Sequence, residues 1–391
     1  MDFNEISKQM HEMSGYKDPL AFGIARVLKN KSGESLKCDF AVVNYNSSFA
    51  SAAVILWALK ENGENLKFNE SEAVYTLGQK CLNDAIEPFS SLLNELDKHP
   101  NVKALKCAKD ANKNECDCTN SVEFEVVFLY EDEAPKSAQS VYLKLYLLSK
   151  NFVKPREINL NGAFGTLPNL AWDEAGRPYE LEYLRNNEIE LKLNGNYPHI
   201  VYIDKFPRYL SHIVPKDNAT RVLDSSKVRL GAHLAEGTVV MPGASYINFN
   251  AGTLGPVMVE GRISSSVRVG AGSDVGGGAS ILGVLSGTNG NPISVGEKCL
   301  LGANSTTGVP LGDNCIVDAG LAILEGTKVF ISEANRKALK EINPSFDFGR
   351  EIYKARELSG LNGLHFRRDS QNGQISVSIS VRAIKLNENL H

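Results

Sequence analysis

A six-residue period in the second half of the chain constrains its fold more than any other feature. Twenty of the 33 glycines lie within residues 226–329, and Gly231, Gly237, Gly243, Gly255 and Gly261 share one phase. A second phase runs through Gly272, Gly278, Gly290, Gly296, Gly302, Gly308, Gly320 and Gly326, with Asn314 where glycine is skipped. Asn is the next best residue for positive φ. Aliphatic residues keep the same spacing at Val295 and Leu301, then at Leu311, Val317, Ile323 and Val329. A period of six fits neither an α-helix nor a plain strand. It fits a parallel β-helix, in which three hexapeptides close one triangular coil and the aliphatic residue points inward. A flexible Gly-rich linker is excluded, because it would not hold aliphatic residues in register with glycine over so long a stretch.

At about 18 residues per coil the repeat predicts five or six coils stacked about 4.8 Å apart. The phase slips by one between Gly261 and Gly272, and 285–292 (LSGTNGNP) reads as a loop thrown out of a coil. Loops leaving a rigid scaffold commonly line functional sites.

Residues 1–215 read as a mixed α/β region, 216–329 as the solenoid and 330–391 as a short C-terminal β cap. In the first region 38–45 (CDFAVVNY) predicts a strand, Phe49 to Lys60 and Ser71 to Leu96 have helical spacing, and His99 to Asn120 reads as an exposed Lys-rich loop. That loop holds Cys107, Cys116 and Cys118, whose spacing matches no common zinc site, so free thiols are expected. In the cap, Ser332 to Ile342 predicts a helix, and Leu364 to Arg368 with Gln374 to Val381 a hairpin around Gln371-Asn372-Gly373.

Composition narrows the partners. Forty-two basic against 46 acidic residues leave a net charge of −4, which gives no drive toward nucleic acid. No apolar run is long enough to cross a bilayer, and the first ten residues lack the pattern of a signal peptide. Seven cysteines at irregular spacing fit no disulfide framework. The expectation is a cytoplasmic protein with small-molecule substrates and no membrane partner.

The segments 247–255 (INFNAGTLG), 258–264 (MVEGRIS), 272–287 (GSDVGGGASILGVLSG), 299–305 (CLLGANS), 311–321 (LGDNCIVDAGL) and 354–360 (KARELSG) together closely resemble the tetrahydrodipicolinate N-succinyltransferases, with 163–172 (AFGTLPNLAW) a weaker match upstream. The resemblance implies a left-handed β-helix, a homotrimer with sites at subunit interfaces, and succinyl-coenzyme A as acyl donor for bacterial lysine and diaminopimelate synthesis. It also implies roles. Glu260 matches the catalytic carboxylate and Arg262 a donor contact. Gly277, Ser280, Ala303, Asp318, Ala319 and Gly326 match the donor groove. Lys354, Arg367, Arg368, Asp369 and Ser370 match coenzyme A contacts. Some relatives hold a metal on the trimer axis with acidic residues. Here the matching stretches read Ser225-Ser226-Lys227 and Met241-Pro242-Gly243-Ala244, so no metal is expected.

Succinyl transfer needs a proton acceptor, an oxyanion donor and a cation for the succinyl carboxylate. His233 is the solenoid's only histidine, and it reads as a packed residue, so a carboxylate is the expected base. Glu260 follows the apolar run Val257-Met258-Val259 and could act as base, attack the thioester itself, or form a structural ion pair with Arg262. The run Gly276-Gly277-Gly278 lets backbone N–H groups approach a ligand, or simply turns a corner. Arg367 and Arg368 suit phosphates, or form a solvated basic surface. Rival readings are a different coenzyme A acyltransferase, such as one acetylating a nucleotide sugar, and a noncatalytic trimeric scaffold. One histidine cannot supply the metal set of a carbonic anhydrase solenoid.

Overall fold

The computed structural model describes residues 1–111, 120–284, 290–381 and 386. The chain forms two compact units, one of residues 1–147 and 158–207, the other of residues 148–157 and 208–391.

The first unit is α/β. Its main sheet is antiparallel, with Ser35–Tyr45 beside Ala21–Lys29, then Ser121–Leu129, then Glu72–Thr76. Helices Phe3–His11, Phe49–Glu61, Gln79–Ile86 and Pro100–Asp110 contribute Ile6, Ile55, Leu82 and Leu105 to a core shared with Phe22 and Phe128 of the sheet. The expected strand at 38–45 and helix from Phe49 are present.

Two expectations are corrected. The stretch from Ser71 begins as the strand Glu72–Thr76, where Ala73 and Tyr75 alternate inward with period two, and only then becomes helical at Gln79. The expected loop from His99 opens with the helix Pro100–Asp110. Proline suits a first helical turn, and Val102, Leu105 and Ala108 bury one face that the lysines between them disguise. Cys107 is exposed on this helix, whereas Cys116 and Cys118 lie outside the described residues. A second small sheet places Leu170–Asp173 between Pro178–Glu180 and Ile200–Asp204, and the indole of buried Trp172 donates to the Asp204 carbonyl at 2.9 Å.

The second unit is a parallel β-helix with three faces. The first runs through Arg221–Val222, Val239–Val240, Met258–Val259, Asp274–Val275, Leu300–Leu301 and Ile316–Val317. The second carries Tyr246–Ile247, Arg262–Ile263, Ser280–Ile281, Thr306–Thr307 and Ala322–Ile323, and the third Gly252–Thr253, Arg268–Val269 and Ser294–Val295. The second residue of each strand from Val239–Val240 onward points inward and is buried.

The predicted 18 residues per coil holds from Arg221 to Val239 and from Arg262 to Ser280, and other coils depart from it. Met258 pairs with Asp274 and Leu300 with Ile316, each sixteen residues on. Inward residues step by six, except for a step of seven from Val240 to Ile247, steps of four from Val259 to Ile263 and from Thr307 to Leu311, and the long excursion between Ile281 and Val295. Asn314 has φ 57° at the corner where glycine is skipped, as the pattern predicts. Of the expected loop, residues 285–289 lie outside the described residues.

Residues 148–157 lie across several coils like a strap. Ser149 Oγ donates to Ala232 O (3.1 Å), the Arg156 N–H to Asn250 Oδ1 (2.8 Å), Arg156 Nη2 to Ser294 Oγ (2.7 Å) and Arg268 Nε to Pro155 O (2.7 Å).

Beyond the coils, Ser332 caps the helix Glu333–Ile342, and Leu364–Arg368 and Ile375–Ile379 form the expected hairpin. The hairpin continues the first face in parallel, with His365 aligned to Ile316 and Phe366 to Val317, so it covers the edge of the last coil. Among the described residues no helix is long and apolar enough to cross a membrane.

Candidate active site

The short step from Val259 to Ile263 leaves Glu260 and Gly261 to turn the corner between the first and second faces. A staircase of backbone bonds then stacks the following coils on Glu260. Gly278 N–H donates to Glu260 O at 3.2 Å, Asn304 N–H to Gly277 O at 2.9 Å and Gly320 N–H to Ala303 O at 2.8 Å. Glu260, Gly277, Ala303 and Ala319 therefore rise in one column.

In the glycine run, the N–H groups of Gly276 and Gly278 are occupied by Leu301 O and Glu260 O. Those of Gly277, Ala303 and Ala319 have no partner among the described residues. The column is thus a rail of unpaired donors about 4.8 Å apart. Small side chains keep it open. Glu260 stands beside the first donor, since a methyl group added to Gly277 would lie 3.5 Å from Glu260 Oε2. The glutamate is half-buried.

On the adjoining second face Arg262, Ser280, Thr306 and Ala322 stack in register. Arg262 Nε lies 3.3 Å from Ser280 Oγ, and no ion pair joins it to Glu260 among the described residues. The structural ion pair is therefore absent, and both side chains face the same strip of surface.

The structure brings Glu260, Arg262, Gly277, Ser280, Ala303, Asp318 and Ala319 to this corner and face. Gly326 and Lys354 lie across the face at the next corner, where Ala355 N–H bonds Thr327 O (2.8 Å), Arg356 N–H bonds Glu325 O (3.2 Å) and Lys328 pairs with Lys354. Arg367 returns to the column by another route, because its Nε sits 3.4 Å from Asp318 Oδ2. Arg368, Asp369 and Ser370 are exposed at the hairpin tip. Asp369 has a structural task there, since its carboxylate accepts from Gln371 N–H at 2.7 Å and its carbonyl from Gly373 N–H at 2.8 Å.

One residue escaped the sequence reading. His365 Nε2 donates to Asp318 Oδ1 at 2.8 Å. The available signal was alternation: in the predicted strand His365 and Arg367 share a face, and Phe366 points the other way.

His233 is buried in the first coil with Nδ1 2.8 Å from Thr253 O, and its backbone pairs with Gly252. Burial lowers its pKa, partly opposed by that carbonyl. It is a packed residue. No group of three or more His, Cys, Asp or Glu among the described residues stands close enough to hold a metal ion.

Comparison with known proteins extends the resemblance to the whole chain. The family described as tetrahydrodipicolinate N-succinyltransferase N-terminal matches residues 1–165, its middle counterpart residues 167–208, and the hexapeptide repeat of succinyl-transferase residues 292–325. The 2,3,4,5-tetrahydropyridine-2,6-dicarboxylate N-succinyltransferase of Campylobacter jejuni is 56% identical over all of this chain and 98% of its own length. That of Nitratiruptor is 54% identical over all of this chain and 98% of its own. A crystal structure from C. jejuni, given provisionally as a 2,3,4,5-tetrahydropyridine-2-carboxylate N-succinyltransferase, superposes with a TM-score of 0.91 at 55% identity over 98% of both chains. Identity at this level, from end to end, places the chain in the tetrahydrodipicolinate N-succinyltransferase family.

Proposed function

We propose that this protein transfers a succinyl group from succinyl-coenzyme A to the amino group of tetrahydrodipicolinate, in its open form L-2-amino-6-oxopimelate, as a step of lysine and diaminopimelate biosynthesis. The observation that carries the reading is the Glu260 carboxylate beside the unpaired N–H of Gly277, at the foot of a column of further unpaired N–H groups.

The chemistry follows from those positions. The acceptor's amine attacks the thioester carbonyl, forming the C–N bond, while Glu260 accepts the amine proton. Gly277 N–H stabilises the oxyanion of the tetrahedral intermediate. Collapse breaks the C–S bond, and the proton passes from Glu260 to the departing coenzyme A sulfur. Arg262, on the same strip, pairs with the succinyl carboxylate. The N–H groups of Ala303 and Ala319 match the spaced amides of a pantetheine arm, and Lys354, Arg367 and Arg368 supply charge for its phosphates.

In this reading the solenoid is left-handed, and the open column is one wall of a site closed by a neighbouring chain in a cytoplasmic homotrimer. The stretches 225–227 and 241–244 offer no carboxylate for an axial metal, so none forms part of it. A thiol-release assay with tetrahydrodipicolinate as acceptor tests the proposal. Thiol release is expected with succinyl-coenzyme A and far more slowly with acetyl-coenzyme A. Equal rates would mark a less specific acyltransferase, and no release with either donor would overturn the reading.

A further inference from the structure

The C-terminal hairpin joins the solenoid as one more rung, and its register decides what meets Asp318. Asp318 N–H donates to Phe366 O at 3.1 Å. Alternation sends Phe366 into the core and directs His365 and Arg367 outward, one to each side of the aspartate. His365 Nε2 lies 2.8 Å from Oδ1, and Arg367 Nε lies 3.4 Å from Oδ2. Side-chain exposure rises from 19% at His365 through 40% at Asp318 to 59% at Arg367, so the guanidinium is the outermost of the three.

The arrangement answers an electrostatic difficulty. Asp318 precedes Ala319 at the top of the donor rail, where an anionic, phosphate-bearing donor is to bind. A carboxylate with both oxygens available closes a two-point fork on a nearby guanidinium, and that fork takes up the N–H groups a phosphate would use. Here one oxygen is already held by His365, and Arg367 keeps only a long single contact.

We propose that His365 is a positioning residue for the donor: by holding Oδ1 of Asp318 it prevents the Asp318–Arg367 fork and leaves the outer edge of the Arg367 guanidinium to the phosphates of coenzyme A. The inference rests on the succinyl-coenzyme A reading above and adds to it a residue that touches neither donor nor acceptor.

The test uses the full-length chain with His365→Ala, His365→Asn and His365→Gln. Glutamine places an amide N–H where Nε2 stands, and asparagine, one methylene shorter, does not reach. Each protein is assayed with succinyl-coenzyme A and with succinyl-pantetheine, which lacks the nucleotide and its phosphates. For the Ala and Asn variants the KM for succinyl-coenzyme A should rise about tenfold, the effect of one charge-assisted contact. Their kcat should stay within about twofold, and the KM for succinyl-pantetheine should not move. The Gln variant should restore the wild-type KM. An unchanged KM, an equal rise with both donors, or Asn and Gln behaving alike would each overturn the proposal, and the Asn and Gln pair decides it even if the Ala variant does not fold.

Calorimetric titration with coenzyme A repeats the comparison without turnover. If the wild type binds coenzyme A but transfers no succinyl group, the functional reading falls while the His365 comparison still decides the positioning role. If the wild type does not bind coenzyme A, both fall.

Discussion

Glu260 owes its position to a corner two residues shorter than the repeat around it. Had the step from Val259 been six, the side chain would not stand beside Gly277, whose N–H is the one unpaired donor of its glycine run. Glu260→Gln keeps the shape and removes the proton acceptor, so turnover should fall at least about a hundredfold while calorimetry still shows coenzyme A binding. His233 gives a second prediction at this scale. Burial holds its pKa below the ordinary 6.5, so as pH falls through about 6.5 the unfolded chain takes up a proton before the folded one does. Its contribution is therefore fully present above that pH and is lost as pH drops, and melting temperature measured from about pH 7.5 down to pH 5 should fall less steeply in His233→Gln than in the wild type. At residue level the sequence disclosed Glu260 and Gly277 because a motif surrounds them. It did not disclose His365, whose partner Asp318 lies 47 positions away and is met only through strand register.

Among the elements, the solenoid was legible because its inward residue, its corner and its period repeat many times, so each coil corroborates the next. The helix Pro100–Asp110 and the strand Glu72–Thr76 were not, because each occurs once, is short, and hides its buried face among lysines or before a longer helical pattern. Glycine marks corners that need positive φ and also places where coils touch, so its spacing alone does not disclose which corners are short. Gly261 is of the second kind, because a Cβ there would collide with the Ala279 carbonyl of the next coil. Gly261→Ala should destabilise the chain by about 1–3 kcal/mol, as overpacking does. The displaced corner carries Glu260, so kcat should fall as well. Melting temperature and kcat measured on the one variant check both, and a loss of stability at full activity would show that the corner and the glutamate are independent.

For the whole molecule, the proposed trimer should have three times the chain's 42.7 kDa by native mass measurement. Glu260 and Ala303 rise in one column of one chain, so a trimer mixing Glu260→Gln chains with Ala303→Trp chains contains no intact column. Exchange between the two variants should restore no activity, whereas recovery in verified mixed trimers would mean that Glu260 of one chain works against the rail of another. The strap of residues 148–157 bears on the molecule differently. No shift in composition marks it off from its surroundings, yet its bonds to Ala232, Asn250, Arg268 and Ser294 fasten it to the second unit. The linear order of the chain and the order of its bodies are therefore not the same, and residues 208–391 transplanted as a cassette onto another protein would arrive without their own staple. Supplied separately as a peptide, those ten residues carry their half of each of these bonds, so adding them back should raise the melting temperature of such a cassette.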